Sequence, residues 1–175
     1  VPILSMKKNI LNFILLLLIA FTSASCKRIS NKNENQNKEV ILASFTVLAD
    51  IISNVAKDDF IVKSLIKPGV EVHGYQPTPS DLVKASSAFV FVDNGFGFEL
   101  WAEKFVSNLK VKRITVAEDL DPIFISEDFY KGKPNPHAWI SPKRGMLYVD
   151  IIVDSLSELR PSKREIFEEN AKIYK

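Results

Sequence analysis

Hydrophobic positions along this chain fall into three kinds of run. The first, Ile10 to Phe21, is broken only by Asn12 and follows the cationic start Met6-Lys7-Lys8-Asn9. It is short for a bilayer span, and a cationic start before a short apolar run is the pattern of a secretory signal peptide. The second kind is short: Val40 to Phe45 and Ala88 to Val92 predict strands buried on both faces, and Phe60 to Ile66, which includes Lys63 and Ser64, and Ile114 to Ala117 predict two more strands. The third kind recurs at helical spacing and predicts amphipathic helices. Val47, Leu48, Ile51, Ile52 and Val55 form one stripe on Thr46 to Ala56, and Leu100, Trp101, Phe105, Val106 and Leu109 form another on Glu99 to Leu109. Met146, Leu147, Ile151, Ile152, Leu156 and Leu159 give a longer helix that Pro161 ends, and Ile166, Phe167 and Ile173 give a last one with Ser162 as its cap. A short helix from Pro79 to about Ser86 is marked by Thr78 as N-cap, Pro79 at the first position and Asp81 supporting the dipole.

Strand and helix alternate four times. That order predicts an α/β fold, an open doubly wound parallel four-stranded sheet flanked by helices, with right-handed connections. Ligands in such a sheet sit beyond the carboxyl ends of the strands. Ahead of it, Thr22-Ser23-Ala24-Ser25-Cys26 places small residues before the lone cysteine and resembles a bacterial lipobox, which implies lipid attachment at Cys26. The polar stretch from Lys27 to Glu39 cannot bury enough surface to fold and reads as a flexible tether. The expected organisation is a signal peptide over 1–25, with 1–5 as upstream read-through, a tether over 26–39, a folded lobe over 40–161 and the start of a further helix over 162–175.

Composition narrows the function. The formal net charge is +2, and Lys7 and Lys8 account for both charges, so the folded body is balanced and offers no basic field for nucleic acid. Gly95 and Gly97 lack a third downstream glycine and read as turn chemistry rather than a phosphate cradle. The acid pairs Asp58-Asp59, Glu118-Asp119 and Glu127-Asp128 read as solvated turns, and the serines lack a nucleophile elbow. Only two histidines are present, His73 in the loop after the second strand and His137 in the region after the fourth. Both fall at strand carboxyl ends, where a pair of imidazoles can ligate a transition metal or serve as surface and structural residues. Trp101 reads as core, and Trp139 as a shield for the His137 loop.

The segments Lys67-Pro68-Gly69-Val70-Glu71-Val72-His73-Gly74-Tyr75-Gln76-Pro77-Thr78-Pro79-Ser80-Asp81-Leu82 and Asn135-Pro136-His137-Ala138-Trp139-Ile140-Ser141-Pro142 resemble the two ligand motifs of bacterial metal-binding solute receptors. These are the lipoproteins, once also labelled adhesins, that feed zinc, manganese and iron ABC importers. The resemblance runs from about Val40 to Lys175 and includes Asn94-Gly95, Glu99-Leu100-Trp101 and the Asn170 to Tyr174 spacing. It implies that His73 and His137 are metal ligands of an N-terminal lobe, that the cargo is Mn²⁺, Fe²⁺ or Zn²⁺, and that the partners are an ABC permease and, through Cys26, a membrane. It further implies a place outside the cytoplasm, in the periplasm or on the outer cell surface, and a binding role rather than an enzymatic one. Gly74 departs from the family, whose members commonly carry an acid there, and costs the loop a charge. Family receptors have a second lobe that supplies a carboxylate and further ligands, so this chain is expected to be one lobe with the beginning of the connector. Two neutral imidazoles alone favour Zn²⁺ or Cu²⁺ over Mn²⁺, while the motif wording looks most like the manganese/iron branch. The competing functions are a surface lipoprotein or truncated product without a complete site, and a metallohydrolase built on the same two histidines.

Overall fold

A computed structural model describes residues 38–107 and 109–175. The signal-peptide reading, the lipid attachment at Cys26 and most of the tether lie outside the described residues. Four strands, β1 (Val40–Ala43), β2 (Ile61–Ser64), β3 (Val90–Asp93) and β4 (Lys112–Thr115), form one parallel sheet in the order β2-β1-β3-β4. Val40 pairs with Ile61 on one side of β1, Ile41 with Val90 on the other, and Asp93 with Thr115 across β3 and β4. Every residue of β3 is buried, as are Ile41, Leu42 and Ala43 of β1. The strand order reverses between β1 and β3, so the crevice at their carboxyl ends is the topological switch point of the sheet.

The helices are α1 (Thr46–Ala56), α2 (Pro79–Ser86), α3 (Leu100–Val106), α4 (Pro142–Leu159) and α5 (Arg164–Tyr174). Side chains alternate across the sheet and build two cores. Ile41, Ala43, Val90 and Val92 pack with Leu48, Ile52, Tyr148, Ile152, Leu156 and Phe167 beneath α1, α4 and α5. Leu42 and Phe91 face the other way, onto Ala85, Ala102, Phe105 and Val106 of α2 and α3. Helices therefore cover both faces, as the strand–helix alternation predicts. Among the described residues no helix is long and apolar enough to cross a membrane.

Several local expectations need correction. The fourth strand begins at Lys112 rather than Ile114, and Val116–Asp119 is a 3-10 turn. A charged start is compatible with an edge strand, and Arg113 reaches from it to Asp93 of β3, with Nε at 2.8 Å and Nη2 at 2.6 Å from Oδ2. On α4 the buried stripe is Tyr148, Val149, Ile152, Val153 and Leu156, while Met146 and Leu147 are exposed. Apolar residues are so dense there that hydrophobicity cannot centre the stripe. The Tyr148 hydroxyl does so, because it needs and finds a buried acceptor, donating to Asn94 Oδ1 at 2.6 Å. Leu100, expected to pack, is 76% exposed, because α3 is only seven residues long and turns Ala102, Phe105 and Val106 inward. Ser162 is not the cap of α5, since Pro161–Lys163 makes a 3-10 turn and the helix starts at Arg164, which pairs with Asp154 and Glu168. Glu39, at the end of the stretch read as tether, accepts through its carbonyl from Ile61 N–H and pairs its carboxylate with Arg160.

Candidate metal centre

The loop between β2 and α2 carries His73, and the sequence anchors it at both ends. Thr78 and Asp81 form a capping box at the start of α2, in which the Thr78 side chain accepts from Asp81 N–H and the Asp81 carboxylate accepts from Thr78 N–H. The same carboxylate accepts the Tyr75 hydroxyl at 2.7 Å and pairs with Lys84 at 2.8 Å. Burial opposes the charge on Asp81, yet Lys84 and the Thr78 donors together hold its carboxyl well below the usual range. Burial, with the bond to Asp81, pushes the Tyr75 phenol up to about 12. Midway along, the Trp101 indole donates to the Val72 carbonyl at 3.0 Å. Trp101 thus braces the loop that precedes His73, a role beyond the core packing read from its helical position.

The two imidazoles meet at the carboxyl edge of the sheet, with ring centres 5.2 Å apart and planes inclined at 46°. Phe98 lies edge-on to His73 at 4.6 Å and to His137 at 5.5 Å, and Trp139 stands 5.5 Å from His137. Phe45, Phe98 and Trp139 also contact one another at 4.7–5.0 Å, giving the pair an aromatic floor. Trp139 takes the shielding place expected of it. Burial, then the neighbouring His73, lowers the pKa of His137, which favours the neutral ring that a metal needs.

Each ring is oriented in the same way from two residues upstream. Glu71 Oε1 lies 2.9 Å from His73 Nδ1 and accepts from His73 N–H at 3.1 Å, and Asn135 Oδ1 lies 3.1 Å from His137 Nδ1 and accepts from His137 N–H at 3.0 Å. An acceptor opposite Nδ1 fixes the proton there and leaves the lone pair on Nε2. The arrangement offers a cation two Nε2 donors. Glu71 also accepts from Gly74 N–H at 2.9 Å, and that bond, with those from His73, lowers its pKa to about 2. The charge missing at Gly74 is therefore present at Glu71, and it orders the loop. Sequence reading passed over Glu71 and Asn135, although the shared spacing of an oxygen acceptor two residues before each histidine was visible.

Beneath the rings, at the switch point, lies a buried polar network that sequence reading also missed. Glu99, the residue before α3, accepts from the Ser44 hydroxyl at 2.6 Å, from Asn94 N–H at 3.0 Å and from Gly95 N–H at 3.3 Å. Burial nevertheless raises its pKa to about 7, against the pull of those donors and with the help of nearby Asp93. The turn that offers these N–H groups requires Gly95, whose φ is +90° and where a Cβ would lie 2.6 Å from Thr115 Cγ2. Among the described residues, no group of three or more His, Cys, Asp and Glu side chains is placed to hold a metal.

Residues 41–175 match the family described as ZnuA, zinc-uptake complex component A periplasmic. The chain belongs to this family. ZnuA proteins are solute-binding transport components rather than an enzyme family. The chain is 40% identical over 146 residues to the iron-binding protein YfeA of Yersinia pestis, covering 83% of this chain and 47% of that one. It is 34% identical over 171 residues to the manganese-binding lipoprotein MntA of Halalkalibacterium halodurans, covering 97% of this chain and 56% of that one. The structure of a manganese-bound periplasmic metal-binding protein from Candidatus Liberibacter asiaticus superposes with a TM-score of 0.72 at 40% identity, covering 78% of this chain and 52% of that one. The chain spans about half the length of the curated relatives it matches.

Proposed function

We propose that this chain is the metal-capturing lobe of an extracytoplasmic solute-binding lipoprotein, which takes a divalent transition metal through His73 and His137 Nε2 and delivers it to an ABC permease. The observation that carries the reading is the 5.2 Å approach of two rings whose Nδ1 atoms are both turned toward a partner in their own loop. A zinc ion about 2.0–2.1 Å beyond each Nε2 lies roughly 3.2 Å from each ring centre, so two rings bound at a tetrahedral angle have centres about 5.2 Å apart. The observed separation suits one shared cation. Binding rather than catalysis is favoured because Glu71, the acid next to the pair, is committed to Nδ1 and two N–H groups and is not free to act as a base. The names of the relatives support the cargo class, with iron and manganese each represented.

With two neutral imidazoles as its donors, this lobe binds Zn²⁺ ahead of Mn²⁺ by the general order of divalent affinities. Oxygen donors added from outside the described residues shift the balance toward Mn²⁺ or Fe²⁺, and we place the full site in that manganese/iron group. Titration calorimetry of Zn²⁺ and Mn²⁺ into the wild-type chain and into His137→Ala tests the assignment. The expected result is one zinc per wild-type chain, weaker manganese binding, and a loss in His137→Ala beyond the roughly 10- to 100-fold that an outer-shell change costs. Equal uptake by both proteins would remove His137 from the site.

A further inference from the structure

We infer that Asn94 is the positioning residue for the His137 imidazole, and that it acts by holding the Pro136 carbonyl from the carboxyl end of β3. The inference rests on the metal-capture reading and deepens it. Asn94 is wholly buried at the switch point, and each polar atom of its side chain is used. Nδ2 donates to the Pro136 carbonyl at 2.9 Å and to the Gly95 carbonyl at 3.0 Å, and Oδ1 accepts the Tyr148 hydroxyl at 2.6 Å. Two carbonyl partners on one side fix which end of the amide is nitrogen, because carbonyls accept only.

Pro136 has no N–H, so its carbonyl is the one backbone group by which it can be hydrogen-bonded. It sits between Asn135, whose side chain orients the His137 ring, and His137 itself. The other hydrogen bonds of this segment stay local or reach the neighbouring loop, as Asn135 N–H does to the Ile123 carbonyl at 2.7 Å. Among the described residues, Asn94 Nδ2 makes the hydrogen bond that ties the segment to the end of the sheet. Asn94 is itself held at three points, by Glu99 on its N–H, by Ala117 N–H on its carbonyl at 2.7 Å and by Tyr148 from α4. Since His73 arrives on the separate loop after β2, the distance between the two rings depends on how firmly each loop is referred to the sheet. Trp101 ties the His73 loop to α3 through Val72, and Asn94 ties the His137 loop to the end of β3.

Zinc titrations of the full chain test this with Asn94→Ala and the bulk-preserving Asn94→Leu, beside His137→Ala, Leu156→Ala and Tyr148→Phe. Leu156 is 2% exposed and lies about 12 Å along α4 from Tyr148 at 1.5 Å per residue, so its alanine variant loosens the core without touching the loop. Tyr148→Phe removes a partner of Asn94 but leaves the bond to Pro136. All titrations are run well below each variant's unfolding midpoint. The expected result is a loss of about 10- to 100-fold in zinc affinity for both Asn94 variants, the range for outer-shell partners, with Leu156→Ala within about threefold of wild type and Tyr148→Phe, which loosens Asn94 but keeps its bond to Pro136, losing less than either Asn94 variant. Asn94 variants that bind like wild type while His137→Ala does not would overturn the inference, as would an equal loss in Leu156→Ala, which would mark general loosening. Unchanged binding by His137→Ala would instead remove the capture reading, and this inference with it.

Discussion

Glu99 makes the stability of this lobe depend on pH in a direction opposite to that of most carboxylates. Its pKa is 4.5 unperturbed and about 7 in the fold, so the folded state favours the protonated form. The Glu99 contribution to stability is therefore fully present below about pH 4.5, falls as pH rises toward 7, and is flat beyond. A difference of about 2.5 pKa units at 1.36 kcal/mol each amounts to about 3 kcal/mol. Glu99→Gln abolishes the titration and retains an acceptor for the Ser44 hydroxyl and the Asn94 N–H. Urea unfolding of both proteins, followed by the fluorescence of the two tryptophans at pH values from 4 to 8, isolates the effect, because every other titrating group is common to the pair. The stability of the variant relative to wild type should rise by about 3 kcal/mol across that interval. A relative stability that stays flat within about 1 kcal/mol, or one that falls, would show that the three donors outweigh burial at Glu99.

Two further outcomes follow from the geometry of the site. Glu71→Ala removes the acceptor that orients His73 Nδ1 and should weaken zinc binding by about 10- to 100-fold while the lobe stays folded; calorimetry and urea unfolding on one preparation check both halves. Gly95→Ala forces a side chain into a backbone with φ +90° and a methyl into Thr115, which should cost about 1–3 kcal/mol in urea unfolding and weaken zinc binding through the adjacent Asn94; a change under about 0.5 kcal/mol would mean that the turn reshapes freely.

Legibility of the sequence followed the range of the interactions. The α1 stripe and the Thr78-Pro79 start of α2 are local patterns, and both elements occupy the expected residues. The parallel sheet followed from the alternation of strand and helix, while placement at strand carboxyl ends left the meeting of His73 with His137 open and the resemblance of the two motifs implied it. What pattern could not reach depends on tertiary partners. The face of α4 was set by a bond from Tyr148 to Asn94 across 54 residues, and the start of β4 by the Arg113 pair with Asp93 at its side. Glu99 reads from the sequence only as the first residue of a helix, and the parallel pairing of β1 with β3 brings Ser44 and Asn94 onto its carboxylate. The orienting roles of Glu71 and Asn135 were local and lay within reach of the sequence, since the residue two before each histidine carries a side-chain acceptor oxygen.

Metal capture by this lobe requires two Nε2 atoms to share one cation. A crystal structure of the zinc-loaded chain, with anomalous scattering recorded at the zinc edge, tests it most directly. The predicted result is a single peak about 2.0–2.1 Å from Nε2 of both His73 and His137, with Glu71 and Asn135 still on the Nδ1 side. A peak bound through Nδ1 of either ring, or one that engages a single histidine or neither, would contradict it.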